Sequence, residues 1–279
     1  MEVFHTCYYI NLERSKDRRE GMEKRFTNLK RVEGVDGRDL NIPKEILRRC
    51  KMNVFQIGCL QSHLKAIKTA YDNGDKEALI MEDDICADYF KRWEKSIQQI
   101  VNNKPKDAEC IQLHCSMKSE VRKMLMMNTE YSLWKRCYKR NSTGCYYITR
   151  KGMEKIIKLG LDFVPKTFYP ADHFIYDKII TYNYTKPLFN LKSRDTSLLG
   201  RINFRNNWDK RLFGKYFKKI GLIRRLKNNN KVRRKKINLN VKRLKNIKKI
   251  QVKRRIKIRL RNIMIGLKRN NKLLNRIIS

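Results

Sequence analysis

The clearest feature of the hydrophobic pattern is a short unbroken apolar run, Ala78–Met81, that ends at three consecutive acids. A run of this length without alternation is typical of a strand buried on both faces, and such strands belong to mostly parallel α/β sheets. The acids Glu82, Asp83 and Asp84 then follow the carboxyl end of the strand, where these sheets bind ligands. In an extended segment Glu82 and Asp84 point to one face and Asp83 to the other.

Other apolar segments alternate between the spacing of strands and that of amphipathic helices. The predicted strands cover residues 3–12, 31–37 with a turn, 110–114 and 145–149, and the predicted helices cover residues 15–26, 57–71, 88–101 and 151–159. Strands that alternate with helices indicate a nucleotide-binding α/β layer architecture.

Charge divides the chain into two parts. The formal net charge is +40, and residues 201–279 hold 30 of the 67 Lys and Arg residues but a single acid, Asp209. Residues 1–200 have the turns, aromatic residues and acids of a globular domain. We therefore predict a catalytic or binding domain over residues 1–200 and a Lys/Arg-rich tail, helical or disordered, over residues 201–279.

The tail repeats apolar residues at helical spacing between basic ones, namely Val241, Leu244, Ile247 and Ile250. This pattern predicts a basic amphipathic helix that lies on an anionic membrane surface or packs on the domain. Nucleic acid is the rival partner, because dense positive charge binds any polyanion. The absence of aromatic residues after Phe217 weakens single-strand recognition by stacking. A solvated tail without a dedicated partner is the remaining alternative.

The eight cysteines show no Cys-x-x-Cys pair and no regular framework, which favours a reducing compartment over a disulfide scaffold or zinc ribbon. The N-terminal residues do not resemble a signal peptide, and no apolar stretch has the length of a membrane span. The sequence predicts a cytoplasmic protein, in contact with a membrane surface through the tail.

The acidic triplet constrains the chemistry further. Three adjacent carboxylates repel one another and lose hydration in a crevice, so they suit a divalent cation shared with an anionic ligand such as a nucleotide diphosphate. The alternative is an acidic turn whose side chains are solvated.

Five ordered segments together resemble glycosyltransferase family 25, which contains the lipopolysaccharide-type β-galactosyltransferases of bacteria and the procollagen galactosyltransferases. These segments are Ile10–Leu12 with Arg14 and Arg18, Gly58–His63, Leu79–Asp84, Gly144–Thr149 and Pro170–Asp172. The resemblance implies a GT-A fold, a UDP-sugar donor that is usually UDP-galactose, inverting transfer, and a divalent metal that is most often Mn²⁺. The acceptor is a hydroxyl of a glycan, a lipid-linked saccharide or a collagen-like hydroxylysine.

The resemblance also assigns expected roles. Asp84 is the first choice of metal ligand because a carboxylate-held cation neutralises the leaving diphosphate, and Asp83 and Glu82 bind metal or donor. Asp172 is the leading base for the acceptor hydroxyl, and His173 is a second base or an additional metal ligand. Asp177 and Asp195 remain alternative bases, and N-capping of a helix is the structural alternative for Asp172. 

Five further residues are expected to bind the donor. Arg14 and Arg18 would clamp the diphosphate, and Asn11 would meet the base or ribose. Ser62 and His63 are expected at a helix start that faces phosphate. The structural alternatives are surface charges for the arginines and a structural role for the histidine.

The sequence thus predicts a metal-dependent inverting hexosyltransferase. The rival from another class is a catalytically idle domain whose basic tail binds nucleic acid or an acidic scaffold. The acids at residues 82–84 and 172 favour the enzyme, because a binding module has no use for them.

Overall fold

The computed structural model describes residues 2–134, 142–160, 166, 169–191 and 211–218. The chain divides into two compact units, Met1–Phe217 and Lys218–Ser279, and the elements below belong to the first. The predicted boundary near Gly200, the amphipathic tail helix and Asp195 lie outside the described residues and stay predictions.

Seven strands form one mixed sheet in the order β2-β1-β3-β7-β5-β8-β6, and β4 and β9 form a separate pair. The strands are β1 Cys7–Asn11, β2 Leu29–Glu33, β3 Glu77–Glu82, β4 Ile85–Cys86, β5 Cys110–Gln112, β6 Tyr131–Leu133, β7 Cys145–Thr149, β8 Thr181–Tyr184 and β9 Asn190–Leu191. In the large sheet β2, β1, β3, β5 and β8 run in one direction, and β7 and β6 run in the other. The predicted α/β class with a mixed, mostly parallel sheet is confirmed.

α-Helices and a 3₁₀ helix accompany these strands in the described part of the chain, where residues 211–218 are also helical. They are α1 Lys16–Arg25, α2 Lys44–Cys50, α3 Val54–Asp72, α4 Ile97–Asn102, α5 Lys118–Leu125, α6 Arg150–Ile157 and α7 Ala171–Lys178, with the 3₁₀ helix at Phe90–Arg92. None of the described helices is long and apolar enough to span a bilayer.

Helices cover both faces of the interior strand β3. Because successive side chains of a strand point to opposite faces, Ala78 and Ile80 join a core shared with α3, α6 and α7. Leu79 and Met81 join a second core, shared with α1 and α4. All of these side chains are fully buried, which confirms the strand predicted from the apolar run.

The prediction of a single helix over residues 88–101 is wrong. After the 3₁₀ helix Phe90–Arg92 the backbone of Trp93 is extended, with ψ 139°, and α4 starts only after Ser96. There the Ser96 side chain accepts from the Gln99 N–H at 3.2 Å, and the Gln99 side chain accepts from the Ser96 N–H at 2.9 Å. This capping box marks the start of a separate helix, so the segment does not form the single helix that its apolar spacing suggests.

The helix α3 begins earlier than its hydrophobic periodicity predicts. Asn53 and Gln56 form a reciprocal capping box at its N-terminus, with hydrogen bonds of 2.9 and 3.0 Å. Ser62 and His63 therefore lie in the middle of α3, and their predicted placement at a helix start is wrong.

The loop after β2 packs directly on α3 through two glycines. A Cβ atom on Gly58 would lie 2.8 Å from the backbone oxygen of Val35 and 3.0 Å from the backbone nitrogen of Gly37. This close approach brings Asp36, which lies between Val35 and Gly37 in the sequence, to the same edge of the sheet as the acidic triplet.

Candidate active site

The described residues enclose a cavity of about 390 Å³ at the edge where β1, β2 and β3 end. Because these strands are parallel, their carboxyl ends meet at one edge of the sheet. The antiparallel β7 starts at that edge, so the preceding residues 142–144 reach it as well. The predicted site residues that line the cavity are Arg14, Arg18, Ser62, His63, Glu82, Asp83, Asp84, Asp172 and His173.

The acids at the end of β3 do not all point the same way: Glu82 and Asp83 face opposite sides, as the strand period predicts. Glu82 faces α3, where its Oε1 lies 3.5 Å from Nε2 of His63. Asp83 faces the opposite way, and its Oδ1 accepts a hydrogen bond from Arg18 of α1 at 2.7 Å. Asp84, the next residue, is half-buried and lines the cavity. Their predicted opposite orientation is confirmed for Glu82 and Asp83.

Glu82 is held as a carboxylate by its neighbours. Burial raises the pKa of Glu82, but His63 and the hydroxyl of Thr143 favour the charged form more strongly, and the pKa falls from 4.5 to about 2. The Thr143 Oγ1 donates to Oε1 of Glu82 at 2.8 Å. The side chain of Glu82 remains 34% exposed, so the carboxylate is available from the cavity.

Asp83 is the centre of a buried polar network. Its Oδ2 accepts from the Asn11 amide at 2.8 Å, and its Oδ1 accepts from Arg18, whose side chain is 8% exposed. Burial raises the pKa of Asp83, while Arg18 and Asn11 act against that shift. Both carboxylate oxygens are engaged within the protein, which favours a supporting role for Asp83 over direct metal ligation.

Asn11 does not line the cavity. Its side-chain amide donates to the Ser15 backbone oxygen at 3.0 Å as well as to Asp83, and the residue is 1% exposed. The geometry favours a role in holding Asp83 and the first turn of α1 rather than a direct contact with the donor.

Arg14 stands at the rim of the cavity, where Asp36 holds it. The Arg14 Nε donates to Oδ2 of Asp36 at 2.6 Å, and Arg38 donates to the same oxygen at 2.8 Å. Hydrogen bonds from Arg38, and then from Arg14, hold the pKa of Asp36 well below its usual range despite partial burial. The guanidinium of Arg14 carries further N–H donors that a diphosphate could use.

The two α3 residues differ in how their polar atoms are used. The Ser62 hydroxyl donates to the Gly58 backbone oxygen at 2.6 Å and accepts from the Val35 N–H at 2.8 Å, so it ties the β2 loop to α3. His63 is 1% exposed, with Nδ1 3.2 Å from the hydroxyl of Tyr146 and Nε2 towards Glu82.

Asp172 lies in the first turn of α7 and lines the same cavity as Glu82. Its Oδ2 accepts from the Ser142 N–H at 3.0 Å, and its Oδ1 accepts from the His173 N–H at 2.9 Å. The N-cap of α7 is Pro170, so Asp172 is not the N-cap residue. Burial raises the pKa of Asp172, with His173 and the two N–H groups acting against it and the charge of Glu82 acting with it. A raised pKa makes the carboxylate a better proton acceptor.

Ser142 holds this side of the cavity in a fixed conformation. Its φ of 142° is unusual for a residue other than glycine. Beside its bond to Asp172, the Oγ lies 2.7 Å from Nδ1 of His114, and the carbonyl oxygen accepts from Tyr176 at 3.0 Å. The surrounding bonds stabilise a strained backbone that positions Asp172.

The alternative base Asp177 lies on α7 but does not line the cavity. Its Oδ1 accepts from the indole N–H of Trp134 at 3.0 Å, and its Oδ2 accepts from the Tyr169 hydroxyl at 3.4 Å. This environment is that of a structural hydrogen-bond acceptor.

The cavity is also lined by residues that the sequence did not assign to the site, namely Asp36, Cys59, Ser142 and Thr143. Cys59 had a usable signal, since it precedes His63 by one helical turn. The other three are contributed by loops, and their proximity depends on the fold. Within the described residues, Cys59, His63 and Glu82 form a group whose donor atoms all lie within 4.8 Å of one another, a spacing suited to a metal ion.

A model of the family described as glycosyltransferase family 25 (LPS biosynthesis protein) matches residues 4–175. Among curated proteins, the chain is 27% identical over 197 residues to procollagen galactosyltransferase 2 of Mus musculus, a match that covers 62% of this chain and 30% of the relative. It is 26% identical over 197 residues to procollagen galactosyltransferase 1 of Danio rerio, with 62% and 31% covered. The chain thus spans about a third of the length of these relatives.

Among solved structures, the chain is similar to a glycosyltransferase involved in the glycosylation of the major capsid of PBCV-1. The TM-score is 0.43 at 11% identity, and the match covers 74% of this chain and 97% of that chain. The family model covers more than half of the sequence and includes the five segments that carried the resemblance, up to the first turn of α7. The chain belongs to glycosyltransferase family 25.

Proposed function

We propose that this glycosyltransferase domain transfers galactose from UDP-galactose, with inversion, to a hydroxyl of a glycan, a lipid-linked saccharide or a hydroxylysine. The observation that carries the proposal is the convergence of Glu82, Asp84 and Asp172 with Arg14 on a single cavity. The names of the curated relatives, which are galactosyltransferases, support galactose as the sugar. 

Cationic side chains at one side of the cavity would bind the diphosphate. Arg14 keeps N–H donors beyond the one that binds Asp36, and Arg18 is fixed against Asp83. A guanidinium that is already oriented loses little freedom when it binds a phosphate oxygen. Glu82, held as a carboxylate, is placed to accept hydrogen bonds from hydroxyls of the sugar or ribose.

Asp172 would act as the base. Its carboxylate takes the proton of the acceptor hydroxyl as that oxygen bonds to the anomeric carbon, and the bond from this carbon to the diphosphate oxygen breaks. The nucleoside diphosphate leaves with the bonding electron pair. Because Asp172 and the arginines approach the cavity from different elements, attack and departure can take place on opposite faces of the sugar.

The residues of the cavity fit a divalent cation such as Mn²⁺. Hard divalent cations prefer oxygen ligands, and Asp84 supplies a carboxylate at the cavity wall. Asp83 supports this segment through Asn11 and Arg18. When bound, the cation would supply neutralisation of the charge that develops on the departing diphosphate.

The test is a screen of UDP-sugars with the purified chain. We expect Mn²⁺-dependent release of UDP from UDP-galactose, faster than from UDP-glucose or UDP-N-acetylglucosamine, and further acceleration by a matching acceptor. Release of UDP that is equal for all sugars, or unchanged by EDTA, would contradict the proposal.

We further propose that the Lys/Arg-rich tail places the domain on the cytoplasmic side of an anionic membrane. The support is its sequence, in which Val241, Leu244, Ile247 and Ile250 recur at helical spacing among basic residues. Surface binding by such a helix needs both charge and buried apolar area. 

Replacing Leu244 and Ile247 together by Asp should therefore release the chain from anionic vesicles at constant ionic strength. The matched control replaces Asn240 and Asn246 by Asp, which adds the same charge without removing apolar area, and it should retain most of the binding. Vesicle co-sedimentation measures both. Binding to nucleic acid at moderate salt, without binding to vesicles, would overturn the membrane assignment.

A further inference from the structure

Cys59, His63 and Glu82 form a group of metal-ligating side chains that glycosyl transfer does not require in this combination. Cys59 and His63 occupy positions i and i+4 of α3 and share one face of the helix. Glu82 faces them from the end of β3. All three line the cavity, and Cys59 is a free thiol. A thiol, an imidazole and a carboxylate thus meet at one wall.

The spacing of these groups is close to that of a tetrahedral zinc site. Zn–N and Zn–O bonds of about 2.0–2.1 Å and Zn–S bonds of about 2.3 Å place the ligand atoms about 3.3–3.6 Å apart. His63 Nε2 and Glu82 Oε1 already lie 3.5 Å apart. The donor atoms of the three residues lie within 4.8 Å of one another, so a side-chain shift of about 1 Å would complete the set.

Neighbouring side chains already hold two of the three ligands in place. Metal-binding histidines use their second ring nitrogen in a hydrogen bond, and Nδ1 of His63 lies 3.2 Å from the hydroxyl of Tyr146. This contact leaves Nε2 facing Glu82. The Glu82 carboxylate is fixed by the Thr143 hydroxyl at 2.8 Å. His63 and Glu82 are therefore already held in place before an ion binds, so little of the binding free energy is spent on ordering them.

We propose that Cys59, His63 and Glu82 bind one Zn²⁺ ion, with a fourth coordination position open to the cavity. Thiolate and imidazole ligands select Zn²⁺ over Mg²⁺ and Mn²⁺, which favour oxygen donors. The site differs in this respect from the Mn²⁺ site proposed at Asp84. Bound Zn²⁺ would withdraw Glu82 and His63 from the sugar nucleotide, a consequence that rests on the proposed function, whereas the binding of Zn²⁺ does not.

The experiment measures Zn²⁺ binding to the metal-free full-length chain by competition with a chromophoric chelator, without any sugar nucleotide. The tail contains neither Cys nor His, so it adds no ligands of these types. We expect one tight site in the parent chain that excess Mn²⁺ does not displace. Tyr146→Phe, which removes only the support of His63, should weaken binding by about 10–100-fold, and Cys59→Ser should weaken it more.

Cobalt provides a second readout, because Co²⁺ bound to a thiolate gives a near-ultraviolet charge-transfer band. The band should be lost in Cys59→Ser and retained in Cys50→Ser, a buried cysteine that does not line the cavity. Far-ultraviolet circular dichroism confirms that each variant is folded, and Glu82→Gln replaces Cys59→Ser if the latter is not. Equal Zn²⁺ affinity in the parent chain and these ligand variants, or a cobalt band that persists in Cys59→Ser, would overturn the proposal.

Discussion

Replacement of Asp172 by Asn should lower the rate of transfer by about 10²–10⁴ and leave the affinity for UDP-galactose near that of the parent chain. The amide oxygen of Asn can still accept a hydrogen bond from the Ser142 or His173 N–H, so the first turn of α7 should persist. What the variant lacks is a carboxylate that can take the acceptor proton.

The transfer rate should also depend on pH through the protonation of Asp172. Because the folded environment raises the pKa of Asp172 above its ordinary 3.8, the carboxylate becomes protonated at a higher pH than a free aspartate. The rate should therefore fall as the pH drops through that raised pKa, and Asp172→Asn should lose this acidic limb.

The matched control is Asp177→Asn on the same helix, outside the cavity, which should keep both the rate and the acidic limb. Initial rates and donor binding by calorimetry measure the two effects separately. Loss of donor affinity in Asp172→Asn equal to the loss of rate would assign the residue to donor binding or to structure.

The strand that carries the acids could be predicted because the evidence for it is local. Ala78–Met81 contains no polar residue, and both of its faces are covered by helices in the fold. The opposite orientations of Glu82 and Asp83 follow from the same two-residue period. Local pattern also identified α1, α6 and β7 within a few residues.

The failures occur where hydrogen bonds between side chain and backbone set the boundaries. The capping box at Ser96 divides a segment whose apolar spacing suggests one helix, and the capping box at Asn53 starts α3 before the apolar period becomes visible. Hydrophobic periodicity does not report caps, so the predicted position of Ser62 and His63 at a helix start was wrong.

The partners within the site depend on the fold. Asp83 binds Arg18, 65 positions away, and Asn11, 72 positions away, and no local pattern announces these contacts. Arg18, Asp83 and Asp84, which the sequence assigns to one site, line the same cavity. The sequence does not reveal that Asn11 and Arg18 bind the two carboxylate oxygens of Asp83, which is buried, whereas Asp84 is half-buried.

This distinction leads to a paired experiment on neighbouring acids. Asp84→Asn should lower Mn²⁺-dependent transfer by about 100-fold or more, because a cation that neutralises the diphosphate is worth several kcal/mol to the transition state. Its stability should remain close to that of the parent chain, since the side chain is half-buried at the cavity wall rather than in either core. Mn²⁺ affinity, measured by electron paramagnetic resonance of the free ion, should fall with the rate.

Asp83→Asn should lower the stability of the fold more than it lowers Mn²⁺ affinity. Arg18 is buried, and its Nη1 lies 2.7 Å from Oδ1 of Asp83. The variant therefore leaves a buried guanidinium charge without its carboxylate partner. Removing one member of a buried ion pair costs about 3–5 kcal/mol, so the midpoint of urea unfolding should fall sharply. Mn²⁺ affinity, measured below that midpoint, should decrease less than in Asp84→Asn. If instead Asp84→Asn unfolds as readily as Asp83→Asn and still binds Mn²⁺, the metal ligand is not Asp84, because the two acids would then both serve the fold.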